Sequence, residues 1–247
     1  GEVDRRGVAS SRGGLPFRRI DVVECSLEIA GRRIDGVPLF NAPPTPQDGI
    51  AGRLSSSPDG ASELGFMPVS PRGGAALGRY RSSTSQAGVI AVTGGSQFGL
   101  PPGLALINAE GYATPSGPST IHVGSESLPV LQEAAASGTE VRFINHFVKR
   151  ETEVYNTTAT VHGSDPRLPP LIVMTPRSGW WNCGSERGGG IAVWLEMMRG
   201  LKMAQPARSV YFVASTGHEL GHYGLDAYLE TRHELIQQAV AWIHLGA

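Results

Sequence analysis

Residues 208–228 read RSVYFVASTGHELGHYGLDAY. Positions 210–214 form a short continuous apolar run, the pattern of a strand buried on both faces. Ser215, Thr216 and Gly217 break it. From Leu220 the apolar side chains fall at Leu220, Tyr223, Leu225 and Tyr228, close to helical spacing, with Asp226 and Glu230 on other faces. The stretch reads strand, tight turn, helix. His218 and Glu219 then stand at the carboxyl end of the strand, where open α/β sheets bind ligands.

Outward from this core, residues 171–174 form a second buried strand, 175–186 an unusual loop, and 190–201 a helical apolar pattern. Residues 240–245 read either as a third central strand or as the end of a helix begun near Arg232. Strand, loop, helix, strand, turn, helix implies parallel connections. Before residue 151 the chain is richer in Gly and Pro, and short strands recur at 21–29, 37–40, 50–54, 87–93 and 119–123, with a helix at 128–136. The expectation is a mobile segment over 1–20, a β-rich module over 21–150 and an α/β domain over 151–247.

The 247 residues carry 21 basic and 22 acidic side chains, a net charge of −1, and no block of Lys or Arg. Nucleic-acid binding gets no support. No apolar stretch approaches the roughly 20 residues a spanning helix needs, and GEVDRRGVASSRGG has no signal core. A soluble protein is expected, its compartment left open by two distant cysteines, Cys25 and Cys183.

Three blocks in residues 151–247 resemble the zinc aminopeptidase family with two co-catalytic metals, whose relatives include glutamate carboxypeptidase and the non-enzymatic transferrin receptor. VYNTTATVHGSDPRLPPLIVM is similar to its paired strands, ERGGGIAVWLEMMRGL to its metal loop and helix, and RSVYFVASTGHELGHYGLDAY to its Glu-Glu turn. Residues 21–150 look like the protease-associated domain inserted in such enzymes. The resemblance implies an α/β fold: a mixed, mostly parallel sheet with flanking helices, plus a β-rich inserted protease-associated-like domain.

The departures from the family pattern fall on its metal ligands. Thr175-Pro176-Arg177-Ser178-Gly179 stands where the family has a His-x-Asp pair. Glu186 replaces the bridging Asp, His218-Glu219 the Glu-Glu pair, and His244-Leu245-Gly246 the Asn-Leu-Asp strand. The family's last histidine ligand lies beyond Ala247, so a fold incomplete at its C-terminal end is expected, its remainder either absent from this chain or supplied by a second polypeptide as partner. Glu186, Glu219 and His218 remain as metal ligands, too few for two ions and enough for at most one zinc. His218-Glu219-Leu220-Gly221-His222 also matches H-E-x-x-H, but it begins at a strand end and not inside a helix.

Cys183, Ser185 and Ser178 lie in the loop that should face His218, a nucleophile-and-base grouping with Glu219 as orienter. The structural alternative is a buried Cys183 and a Ser185 that caps the following helix. Arg177, Arg187 and Trp180 are candidates to bind a carboxylate-bearing ligand, or Arg187 pairs with Glu186 or Glu219 and the glycines only admit close packing.

The resemblance thus implies a divergent metallopeptidase-like hydrolase of a peptide or amide bond with a degenerate metal site. One alternative is a non-catalytic binding protein on the aminopeptidase fold. The other is a metal-independent Ser/Cys–His hydrolase.

Overall fold

In the computed structural model, which describes residues 2–5, 7–70 and 72–246, the run at 210–215 is a strand buried along most of its length. In chain order the elements open with α1 (Glu2–Arg5), β1 (Ser10–Ile29), β2 (Arg32–Asp35), β3 (Val37–Pro38), β4 (Ile50–Gly52), β5 (Leu54–Ser55) and β6 (Leu64–Val69). There follow α2 (Gly74–Ser83), β7 (Gly88–Thr93), β8 (Ser119–Val123), α3 (Leu128–Ser137) and β9 (Val141–Val161). The chain continues with β10 (Leu171–Pro176), α4 (Gly184–Ala204), β11 (Val210–Ser215), α5 (Tyr223–Thr231), α6 (His233–Gln238) and β12 (Ala241–His244). It divides into two compact units, Arg19–Arg150 and Gly1–Arg18 with Glu151–Ala247.

In the second of these units, β12, β10 and β11 run parallel, and residues 157–161 of β9 pair antiparallel with β11. The first part of β1 follows on the far side of β9. The mixed sheet with flanking helices expected from the sequence is therefore found, with β12, β10 and β11 as its parallel part. Its two faces bury different sets of side chains. Val173, Phe212 and Ala214 pack under Trp194 and Met198 of α4, while Ile172, Met174 and Val213 pack under Tyr228 of α5. Strict alternation along β10 and β11 supplies both faces, which is why these strands read as continuous apolar runs.

Residues 240–245 resolve as a strand, but at the sheet edge and not in its centre. Within the segment 1–20, expected to be mobile, the described residues carry a short helix and the start of β1. Val3 and Val8 are buried against the α4 face, and Ser10 onward is paired strand, with Ser11 Oγ 2.7 Å from Thr158 Oγ1. Burial of two valines offsets the ordering of a polar, Gly-rich segment, and its composition alone does not show this.

Helix α4 buries Arg187, Gly190, Trp194 and Met198 at helical spacing. Gly190 is where the helix crosses β10 and residue 245: a Cβ there would lie 2.6 Å from Leu245 O and 3.0 Å from Thr175 Oγ1, whereas Gly188 and Gly189 face open space. One of the three glycines thus serves close helix–sheet packing.

The Arg19–Arg150 unit carries its own sheet in the order β3-β8-β7-β6-β5, parallel except for β3. Its helix α3 begins with Pro129 in the first turn and ends at Gly138, φ 68°, as capping chemistry favours. His122 of β8 is only 1% exposed, and neither ring nitrogen has a hydrogen-bond partner. Burial, with Arg81 adding to it, pushes its pKa down to about 4.

Two outcomes follow for stability. Gly190→Ala should lower it by about 1–3 kcal/mol through overpacking, while Gly188→Ala should raise it by about 0.5–1 kcal/mol through helix propensity; urea titration of both variants checks the contrast. For His122 the folded pKa lies below the ordinary 6.5, so its contribution is intact above pH 6.5 and is lost as the pH falls toward 4. The loss is on the order of 3 kcal/mol, and His122→Leu should flatten that part of a stability–pH curve.

Candidate functional site

Three segments meet at the carboxyl ends of β10 and β11: the loop 177–183, the first turn of α4, and the turn 216–222 after β11. Parallel pairing carries the loop to the turn, since Pro176 stands opposite Ser215 and the Arg177 amide donates to Ser215 O at 2.8 Å. Beyond Ser215 the chain reverses through Gly217 (φ 66°), a single 3₁₀ turn at His218–Leu220, and Gly221 (φ 71°). Left-handed backbone at both positions is where glycine is favoured.

Asn156 of β9 fixes this turn from below. Its side chain donates to Gly224 O at 2.7 Å and accepts from the Thr216 amide at 3.0 Å. A Cβ on Gly224 would meet Asn156 Oδ1 at 2.4 Å, so the glycine is what lets the amide reach both strands of the turn.

At the centre lies a buried ion pair. Glu219 is 4% exposed and Arg187 7%, and Arg187 Nη2 donates to Glu219 Oε1 at 2.5 Å. The same nitrogen is 3.0 Å from Glu186 Oε1. Arg187 Nε donates to Ser178 O at 2.7 Å and Nη1 to Glu186 O at 3.2 Å. The remaining oxygen of Glu219 accepts from Ser178 Oγ at 2.8 Å, and Ser178 Oγ in turn accepts from the His218 amide at 3.0 Å. A guanidinium in the first turn of a helix opposes the helix dipole; here two carboxylates offset it.

His218 is half-buried, edge-on to His222 with ring centroids 4.6 Å apart. Burial and then the Arg187 charge hold its pKa below the ordinary value, so the ring is neutral at neutral pH. The H-E-x-x-H pattern does not form one helical turn: His222 has φ 57°, and Glu219 turns to Arg187.

Cys183 lies elsewhere in the network. Its thiol donates to Trp180 O at 2.5 Å and to Glu186 Oε2 at 3.4 Å, and partial burial followed by that bond to Glu186 pushes its pKa up. A thiol whose pKa is raised is the opposite of an activated nucleophile. Ser185 sits exposed on α4; the helix starts one residue earlier, after Cys183, with no side-chain cap. The residues expected as catalytic therefore separate: His218 and Glu219 share the turn, while Cys183 and Ser185 have no bond to the imidazole.

Of the expected binding residues, Arg187 is consumed by the ion pair. Arg177 is exposed over the Tyr155 ring at 4.4 Å from its centroid, with Arg12 at 4.7 Å over the same ring. Trp180 is half-buried against the loop and Trp181 is 63% exposed. Of the expected metal ligands, Glu186 and Glu219 meet at Arg187 Nη2 with no bond from the His218 ring to either, and among the described residues no group of three or more His, Cys, Asp and Glu is arranged to hold a metal ion. Both carboxylates already hold a cation, so the donor set does not fit zinc as it stands. Asn156 carried no signal beyond its place in a strand pattern; Ser178, expected in the loop facing His218, meets that turn through Glu219 and the His218 amide and not through the imidazole.

Residues 186–246 match the family model described as Peptidase family M28. Among solved structures, BSAP, a zinc aminopeptidase from Bacillus subtilis, superposes with a TM-score of 0.74 at 15% identity, over 98% of this chain and 60% of its own. A Peptidase M28 precursor from Shewanella amazonensis SB2B gives 0.74 at 14%, over 98% and 62%. An aminopeptidase from Aneurinibacillus sp. strain AM-1 gives 0.67 at 12%, over 98% and 61%. No curated protein sequence matches. The likeness shows the aminopeptidase fold, and the chain spans about 60% of the length of these structures.

Removing one partner of a buried ion pair leaves an uncompensated charge. Arg187→Ala should destabilise the Glu151–Ala247 unit by about 3–5 kcal/mol, while Arg187→Met combined with Glu219→Leu should restore most of it. Chemical denaturation of the single and double variants checks both.

Proposed function

We propose that this chain, similar over residues 186–246 to Peptidase family M28, is a peptide-binding protein on the aminopeptidase fold whose recognition is independent of metal. The observation that carries this reading is the single guanidinium nitrogen of Arg187 in contact with both Glu219 and Glu186. Carboxylates held by this shared guanidinium do not serve as Lewis-acid ligands or as a free general base. Residues 21–150 fit this reading as a protease-associated-like module.

Peptide recognition has suitable groups around the pair. The exposed guanidinium of Arg177 is a donor fork for a peptide carboxylate. Its hydrogen bond and charge lower the Tyr155 pKa, with Arg12 acting the same way through charge. Trp181, in the same loop, presents an open apolar face.

A second reading, slow hydrolysis with His218 as proton carrier, is favoured by one observation: the neutral, half-buried imidazole at the carboxyl end of β11. A neutral ring is a competent base at neutral pH.

The two are separated by measuring fluorescent-peptide anisotropy and amine release side by side, with and without a chelator. Saturable binding without turnover is expected, unchanged by chelator and weakened about tenfold by Arg177→Ala, the equivalent of one charge-assisted contact. Turnover lost in His218→Ala but kept under chelator would establish the second reading. Turnover abolished by chelator and by Glu219→Ala would defeat both.

A further inference from the structure

Beside α4 lies a cleft of about 620 Å³ with an apolar wall of Val3, Ile191, Trp194, Leu195 and Ala214. Arg12, Thr157 and Arg177 line it too, and all of these residues belong to the unit of Gly1–Arg18 with Glu151–Ala247. The sheet brings the two arginines together. Ser11 Oγ, 2.7 Å from Thr158 Oγ1, fixes the start of β1 beside β9, and Arg177 follows β10 with Nη1 3.5 Å from Thr157 Oγ1. Both guanidinium carbons then lie against the one Tyr155 ring, 4.7 Å from its centroid for Arg12 and 4.4 Å for Arg177. The ring quadrupole attracts each cation only modestly at an exposed site, and the two cations repel. Among the described residues neither guanidinium lies within ion-pair distance of a carboxylate. The two acids that line the cleft are engaged elsewhere: Glu2 Oε2 is 3.3 Å from Arg5 Nη2, and Asp4 Oδ1 accepts from the Ser10 hydroxyl at 2.8 Å and the Ser10 amide at 3.1 Å. Two cations without an anion, at an apolar cleft, complement an apolar group that carries a carboxylate.

We propose that Arg12 and Arg177 clamp the carboxylate of such a ligand while its apolar group enters the cleft. On the peptide-binding reading given above, on which this step rests and which it deepens, the ligand is the C-terminal residue of a peptide with a large apolar side chain. An α-carboxylate and a side chain leave the same carbon, so one residue can meet the arginines and the apolar wall together. An internal Asp or Glu carries its carboxylate at the tip of its side chain and brings nothing to the wall. Trp194 and Leu195 offer a ring and a branched chain for an aromatic or aliphatic side chain to cover, and the volume is within the range of ligand pockets. Glu2 and Asp4, on the same cleft, disfavour an acidic last residue by like-charge repulsion.

The test compares a free carboxylate with its amide. N-acetylphenylalanine and N-acetylphenylalanine amide are titrated into the 247-residue chain by calorimetry, alongside labelled hexapeptides that end in Phe with a free or an amidated terminus, or in Ala or Asp with a free one. The free acid should bind about tenfold more tightly than the amide in both series, and Phe about tenfold more tightly than Ala, with Asp weakest. Arg12→Gln, which keeps the aliphatic stem, and Arg177→Ala should each remove the preference for the free acid. Both side chains are exposed, so the variants should keep the wild-type circular dichroism. Equal binding of acid and amide by the wild type, or a preference that survives in Arg12→Gln, overturns the clamp even where the hexapeptides bind. Hexapeptides that fail to bind while N-acetylphenylalanine binds through Arg12 would defeat the function proposed above and leave the clamp standing as a site for free apolar acids. Failure of every probe overturns both.

Discussion

The buried contact between Arg187 and Glu219 sets the arrangement of every loop around it. Two opposite charges out of water must face each other and fill their remaining hydrogen-bond positions, or the structure carries an uncompensated charge. Arg187 meets this requirement through Ser178 O, Glu186 and Glu219, and Glu219 through Ser178 Oγ and Arg187. The loop after β10, the first turn of α4 and the turn after β11 are thereby joined at one guanidinium. The backbone bends to reach it: Trp181 and Cys183 both take positive φ, at 50° and 22°. Such conformations persist only where neighbouring contacts determine them.

The sheet brings these segments together. Parallel pairing of β10 and β11 places their carboxyl ends side by side, and the Asn156 amide, reaching from the antiparallel β9, holds the Thr216–Gly224 turn at a fixed height. Gly190 then admits α4 close enough to residue 245 for Arg187, one turn earlier, to lie under the strand ends. The cation between the two carboxylates is here a side chain of the same protein. The chemical consequence is a site where one guanidinium serves two carboxylates, with a neutral imidazole and a protonated thiol at its margin and an exposed arginine and tryptophan facing outward.

Much of the fold was legible because its signals are local. The apolar runs at 171–174 and 210–214, the Gly-His-Glu break and the helical spacing of 190–201 each follow from a few neighbouring residues, and each maps onto an observed element. Less legible were features that depend on partners far along the chain. Composition presented residues 1–20 as loose, but pairing beside β9 and two buried valines make the part from Ser10 onward a strand. Ser185 looked like a helix cap by type, yet the helix begins a residue earlier, at the bend that Cys183 makes.

The sequence by itself determined the strand–turn–helix order, the parallel α/β class and the positions from which His218, Glu219, Glu186 and Arg187 could act, because backbone periodicity is a property of neighbours. Its resemblance to the two-metal aminopeptidases implied that other residues stand at several of their ligand positions. Only the tertiary structure decided what became of those that remain. Arg187 and Glu219 are 32 residues apart, and whether a guanidinium binds a ligand or neutralises a carboxylate depends on burial and on the register of β10 with β11. No local pattern encodes that choice; it is made by the desolvation that accompanies packing α4 onto the sheet.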